Sequence, residues 1–153
     1  MHITARVDYA VRTLVELAAA GPAVSKAEYL AHAQSIPHKF LEAVLADLRR
    51  GGLVHSRRGP DGGYWLARPA DEITIADVIR TVEGPLASVR GERPEDVEYS
   101  GPATRLQDVW IAVRVNLRAV LENVTLADVA DENLPHFITE LTADPGAWQR
   151  RGA

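Results

Sequence analysis

Cysteine is absent from the 153 residues. That single absence removes disulfides, thiolate zinc sites, cysteine-ligated iron–sulfur clusters and cysteine nucleophiles. No apolar run approaches the roughly 18 residues a membrane span needs, and the opening Met1-His2-Ile3-Thr4-Ala5-Arg6 lacks a signal-peptide pattern. A cytoplasmic location without a membrane partner is therefore the expectation. The histidines, His2, His32, His38, His55 and His136, share no metal-ligand spacing, so neither a metal nor a cofactor is expected. A phosphate-binding glycine loop between strand and helix, a nucleophile elbow and a carboxylate pair flanked by histidine are all missing, which sets enzymes aside.

What is present is an ordinary globular composition, 46% hydrophobic and 25% charged, at a length suited to one domain or a small domain with an extension. The net charge of -4 hides an asymmetry. Met1–Ala70 carries nine Lys/Arg against six Asp/Glu, a net +3, while the remainder carries eight against fifteen, a net -7. A polyanion, if bound, belongs to the first half.

Apolar residues at three- and four-residue spacing from Ile3 to Ala18 predict a helix over Thr4–Ala20, ended by Gly21-Pro22. Ser25-Lys26-Ala27-Glu28 fits a capping box opening a short second helix to Ala33. Pro37 stands in the first turn of a third, whose stripe is Phe40, Leu41, Val44, Leu45 and Leu48. Two β-prone runs, Leu53–Arg57 and Tyr64–Ala67, flank the turn Pro60-Asp61-Gly62 and predict a hairpin. A fourth helix opens at Thr74-Ile75-Ala76-Asp77 and runs to Val82. Leu86–Pro102 reads as a surface loop. A long helix over Ala103–Val124 follows, with Leu106, Trp110, Val113, Leu117, Val120 and Val124 spaced as the 3.5-residue seam of a helix pair. Thr125-Leu126-Ala127-Asp128 caps a last short helix, and 131–153 is expected to have little fixed structure.

Three helices, the last two joined by a tight turn, then a glycine-tipped hairpin, describe a winged helix-turn-helix: a mainly α fold with a small β-hairpin and a long dimerisation helix. Its partner is double-stranded DNA. With the stripe of the third helix buried, His38, Lys39 and Glu42 face outward at the end that meets base edges. Lys39 suits guanine O6/N7 and Glu42 suits cytosine N4, while Arg49 and Arg50 suit phosphates. In the wing, Arg58 is placed for the minor groove beside Gly59, Gly62 and Gly63, whose bare backbone can approach phosphates. Thr4 and Arg6 at the start of the first helix complete the DNA-facing set.

These residues also carry a resemblance. Met1-x-Ile3-Thr4 with Tyr9-Ala10, Ile36-Pro37-x-x-Phe40-Leu41-Glu42, Leu48-Arg49-x-x-Gly52-Leu53-Val54, and above all Arg58-Gly59-Pro60-x-Gly62-Gly63-Tyr64-x-Leu66-Ala67 resemble the Rrf-two family of bacterial transcription regulators (the IscR, NsrR and CymR group). Ile75-x-x-Val78-Ile79-x-x-Val82-Glu83-Gly84 extends the match, which covers about Met1–Val129. The resemblance implies a homodimer with cross-packed long helices on a dyad-symmetric operator, a glutamate at Glu42 reading cytosine, and Arg58 in the minor groove. Cluster-binding members place three cysteines in the loop matching Leu86–Pro102, where this chain has Val89 to Ser100 without a thiol. An acidic residue at the position of Asp8 supplies a fourth ligand in the nitric oxide branch. Without thiolates Asp8 alone cannot hold a cluster.

The resulting expectation is a winged domain over 1–84, a linker or sensor-type loop over 85–102, a dimerisation segment over 103–130 and a tail. The function read from it is a sequence-specific transcriptional regulator, a homodimeric repressor without an iron–sulfur cluster. Two rival readings are a regulator acting through a protein partner and a small-molecule-binding dimer. Any effector, a redox-inert small molecule or a protein, is expected near Asp8, Glu92, Glu98, Tyr99 and Trp110.

Overall fold

The structure is a computed structural model that describes residues 1–152. Helix α1 (Ala5–Ala19) begins where the Thr4 hydroxyl accepts from the Val7 N–H at 3.2 Å, and it buries Val7, Ala10, Leu14 and Leu17 on one face. Helices α2 (Ala27–Gln34) and α3 (His38–Arg50) form the helix-turn-helix, with Leu30 from α2 meeting Leu41, Val44, Leu45 and Leu48 from α3. Ser35 turns the chain between them in the left-handed region at φ 52°.

Strands β1 (Val54–Arg57) and β2 (Gly63–Leu66) pair antiparallel, Val54 opposite Leu66 and Arg57 opposite Gly63. The capping box expected at Ser25 does not form. Helix α2 is preceded by Lys26 without a side-chain cap, and Ser25 is buried and exchanges backbone hydrogen bonds with Tyr64, at 2.9 and 2.8 Å. The segment before α2 thus adds a rudimentary third strand to the wing, and completing that pairing outweighs a cap worth about 1 kcal/mol.

Two capping boxes do form. Thr74 and Asp77 open α4 (Ile75–Val82), and Thr125 and Asp128 open α6 (Leu126–Ala130). The two helix starts are stitched back to back: Ile75 N–H donates to Val124 O at 3.0 Å and Leu126 N–H to Ile73 O at 2.9 Å. This puts Leu126, fully buried, into one core with α1, α3 and α4. The sequence pattern alone groups Leu126 with the dimerisation segment over 103–130.

Helix α5 spans Leu106–Leu121, and none of its residues is buried. Leu106, Trp110, Leu117 and Val120 are half-buried, while Val113, Val109 and Val115 are exposed. Val124 departs from the expected seam. The helix ends three residues earlier, and Val124 is buried on the winged-domain side, held by the bond to Ile75.

The loop before α5 is ordered rather than patternless. Arg90 and Gly91, both at positive φ, close a tight turn in which Val89 and Glu92 exchange backbone bonds. Val97 is buried, and the Gln107 amide donates to the carbonyls of Pro94, Glu95 and Val97 at 3.2, 3.2 and 2.9 Å. The tail also differs from expectation. It contains α7 (His136–Ala143) and a 3-10 turn over Pro145–Trp148, pinned by the Trp148 indole on Thr142 O at 2.6 Å. Pro135, with its φ preset, starts α7; no residue of the helix is buried. Among the described residues no helix is long and apolar enough to cross a membrane.

Candidate nucleic-acid interface

The amphipathic pattern of α3 leaves one side for a ligand: with Leu41, Val44, Leu45 and Leu48 turned inward, Pro37, His38, Lys39, Glu42 and Ala43 are exposed, and Phe40, expected in the buried stripe, is exposed as well with its ring edge-on to Tyr9. Lys39 has no hydrogen-bond or ion-pair partner among the described residues. Glu42 faces His38, with Nε2 3.5 Å from Oε1, rather than Lys39. Both recognition candidates therefore keep free polar atoms at the N-terminal end of the helix.

The wing stands beside this face. Arg49 at the C-terminal end of α3 reaches Ser56 Oγ on β1 at 3.5 Å, linking helix to hairpin. Arg58 is exposed and without a partner among the described residues. Its neighbour Arg57, which the sequence did not single out, donates to Asp61 O at 3.0 Å and lies over the Trp65 ring. Lys26, also unanticipated, donates to Pro60 O at 2.7 Å and ties the start of α2 to the wing tip. Neither contact has a local sequence signature, since each joins residues whose proximity only the folded hairpin creates.

The three wing glycines divide. Gly59, at φ 103°, has open space where a side chain would project, as a close backbone approach to DNA requires. A Cβ on Gly62 would run into Arg57 O, and one on Gly63 would meet Ser25 O at 2.5 Å. Those two are required by packing inside the wing.

Arg6 and Arg50 both bond the Asp47 carboxylate, so the two cations are held together along α3 while remaining partly exposed. The hydrogen bond from Arg6 is the largest cause that holds the Asp47 carboxyl below its ordinary value, with the charge and bond of Arg50 adding to it. A carboxylate depressed in the folded state stabilises the protein above its unfolded pKa, near 3.8, and that contribution fades as pH falls through the lower folded value. Asp47→Asn is expected to cost about 0.5–1 kcal/mol at neutral pH. In urea unfolding, its deficit against the wild type should shrink below pH 4. A deficit independent of pH would show the ion pairs to be inconsequential. The Thr4 hydroxyl is committed internally: besides capping α1 it donates to Glu83.

A winged fold with an exposed basic recognition end now meets its relatives. The family model described as Rrf2, iron-dependent transcriptional regulator, matches residues 3–132. The chain belongs to the Rrf2 family. The putative HTH-type transcriptional regulator Rv1287 of Mycobacterium tuberculosis is 51% identical, over 100% of this chain and 97% of that protein. Among solved structures, the global cysteine regulator CymR of B. subtilis has a TM-score of 0.73 at 34% identity, over 86% of this chain and 98% of CymR. IscR of T. potens gives 0.68 at 29% identity, over 99% of this chain and 94% of IscR. The present chain is thus a DNA-binding transcriptional regulator of the Rrf2 type, and its relatives and fold neighbours are regulators, not enzymes.

The iron dependence in the family description does not fit these residues. The Leu86–Pro102 loop holds no thiolate, and among the described residues no group of three or more His, Cys, Asp or Glu side chains could hold a metal ion. In its place, the Trp110 indole donates to the Tyr99 hydroxyl at 2.9 Å, joining α5 to the loop. The other effector candidates are not gathered there. Asp8 pairs with Arg12 at 2.9 Å, Glu92 sits in the tight turn, Glu98 is exposed, and no hydrogen bond or ion pair joins Asp8 to them among the described residues.

Proposed function

We propose that this Rrf2 regulator acts as a homodimer on a dyad-symmetric operator and represses by occupying it, without an iron–sulfur cluster. The observation that carries the DNA reading is the exposed N-terminal face of α3 beside a wing arginine with no intramolecular partner. In winged domains the helix enters the major groove and reads base edges with its first turns. Lys39 and Glu42 offer the donor and the acceptor that distinguish guanine from cytosine. Arg6, Arg49 and Arg50 would meet phosphates at the flanks, and Arg58 the minor groove.

Dimerisation is supported by α5. Its seam of Leu106, Trp110, Val113, Leu117 and Val120 is at most half-buried within one chain, and an apolar stripe of this length calls for a partner. A second copy crossing the first at α5 would set two recognition helices for half-sites about 34–36 Å apart.

Selection of binding sites from genomic DNA fragments with the purified protein tests the reading. A palindromic site should emerge, and its affinity should fall steeply with salt as counterions are released. With that site in hand, Glu42→Ala should relax preference at one base position of each half-site by about 1–3 kcal/mol while total affinity changes less, because an acidic charge near phosphates is also removed. Unaltered preference at every position would remove Glu42 from the base-reading set.

A further inference from the structure

The second half of the chain carries a net charge of -7, yet four of its eight basic residues meet in one place. Arg80 on α4, Arg93 in the sensor-type loop, and Arg114 and Arg118 on α5 line a cleft of about 410 Å³ whose floor includes Gly84–Ala87. We infer that this cleft is a binding site for a small multivalent oxyanion, a molecule bearing two or more carboxylate or phosphate groups.

Internal counter-ions account for only part of the charge. Arg114 pairs with Glu95, and Glu122 is shared by Arg80 and, at 4.0 Å, Arg118. Four guanidiniums against two carboxylates leave an excess of two positive charges. The Arg114 side chain is 16% exposed, and its Nε–H is buried without an acceptor among the described residues. With Nε out of reach of solvent, and so of a ligand, what Arg114 offers the cleft is its positive charge and the exposed remainder of its side chain. The planar fork of arginine matches carboxylate and phosphate with paired bonds, and the size of the cleft falls within the range of small-molecule sites. An apolar ligand would leave these donors stranded.

Position gives the site its use. Arg80 belongs to the winged domain, Arg93 to the loop and Arg114 and Arg118 to the helix of the expected dimer seam. An anion bridging them would fasten the recognition unit to the dimer helix and bias the spacing of the two wings. This deepens the proposed function by naming the chemistry of its signal, and rests on that reading for its consequence, though not for the binding itself. None of the effector residues expected from the sequence, Asp8, Glu92, Glu98, Tyr99 and Trp110, lines this cleft. Arg114 and Arg118 stand one helical turn apart, but nothing in the chain reveals that Arg80 and Arg93 face them.

Calorimetric titration of the full chain at constant ionic strength, with citrate and pyrophosphate as probes and chloride as control, tests the inference. One probe at least should bind saturably, one per chain, and the better of the two distinguishes a carboxylate from a phosphate ligand. Arg118→Ala and Arg93→Ala, both at exposed positions, should weaken it about 10-fold or more. Arg114→Gln should do the same, with circular dichroism confirming its fold. Arg105→Ala, an exposed arginine outside the cleft, should bind as the wild type. Heats equal to those of chloride, or wild-type affinity in Arg118→Ala and Arg93→Ala, overturn the site. So does a loss of operator affinity in those variants without any anion binding, which would make the cluster a DNA-phosphate contact. Anion binding retained by a protein that selects no operator would overturn the regulator reading and leave this site standing.

Discussion

Leu117→Asp is expected to sediment as a single chain at concentrations where the wild type is expected to be a dimer. Leu117 lies mid-way along α5, half-buried against its own chain and on the stripe with Val113 and Val120. A carboxylate there would be carried into an apolar contact twice, once from each copy. At about 2 kcal/mol or more per unpaired polar group, the dimer should weaken at least 10³-fold. Because no residue of α5 is buried within one chain, helicity by circular dichroism should change little, which separates loss of association from loss of fold. Operator affinity should fall in parallel, since one winged domain alone holds half the contacts. An unchanged dimer would place the interface elsewhere.

The second large effect is expected at Arg58. The side chain is exposed and supports nothing in the folded chain, so Arg58→Ala should leave the melting temperature unaltered. On DNA, each dimer would lose two groove contacts of about 1–3 kcal/mol each, a fall of roughly 30- to 10⁴-fold in operator affinity. Fluorescence anisotropy across a salt series should also show a shallower slope of log affinity against log salt. Arg58→Lys, keeping a point charge but not the planar fork, should recover only part of the loss. Affinity within twofold of wild type in Arg58→Ala would take the wing out of the interface.

The features legible in the sequence are those whose physics is local. Apolar spacing located α1, α3 and α4 to within a residue or two; Thr74–Asp77 and Thr125–Asp128 announced helix starts that the structure builds. Pro60-Asp61-Gly62 marked the hairpin, and the exposure of His38, Lys39, Glu42 and Arg58 followed from which residues the stripes and strands bury. The same local rules failed where a distant partner competed. Ser25 has the chemistry of a cap, but Tyr64, 39 positions later, takes its backbone. Val124 continues the spacing of the seam, but Ile75 draws it into the winged domain. Leu86–Pro102 has no period because irregular contacts hold it: Gln107 bonds three of its carbonyls, Trp110 bonds Tyr99 and Arg114 pairs with Glu95. The arginine cleft gathers charges from three elements, and so could not be found along the chain at all.

The burial of Leu126 against α1 sets a timetable for synthesis. Val7 and Leu14 are among the first residues made, yet the core they enter is closed by a side chain more than a hundred positions later. Chains generally fold from the N-terminus as they emerge, at about 5–20 residues per second. Here the recognition helix and wing would leave the ribosome several seconds before the residue that seals their core. In that interval the part of α1 that Leu126 covers would stay open to solvent, the condition in which chaperones engage. A stop codon placed after residue 84 would prolong that condition indefinitely: the fragment would hold every DNA-facing residue and lack the plug that keeps them in register.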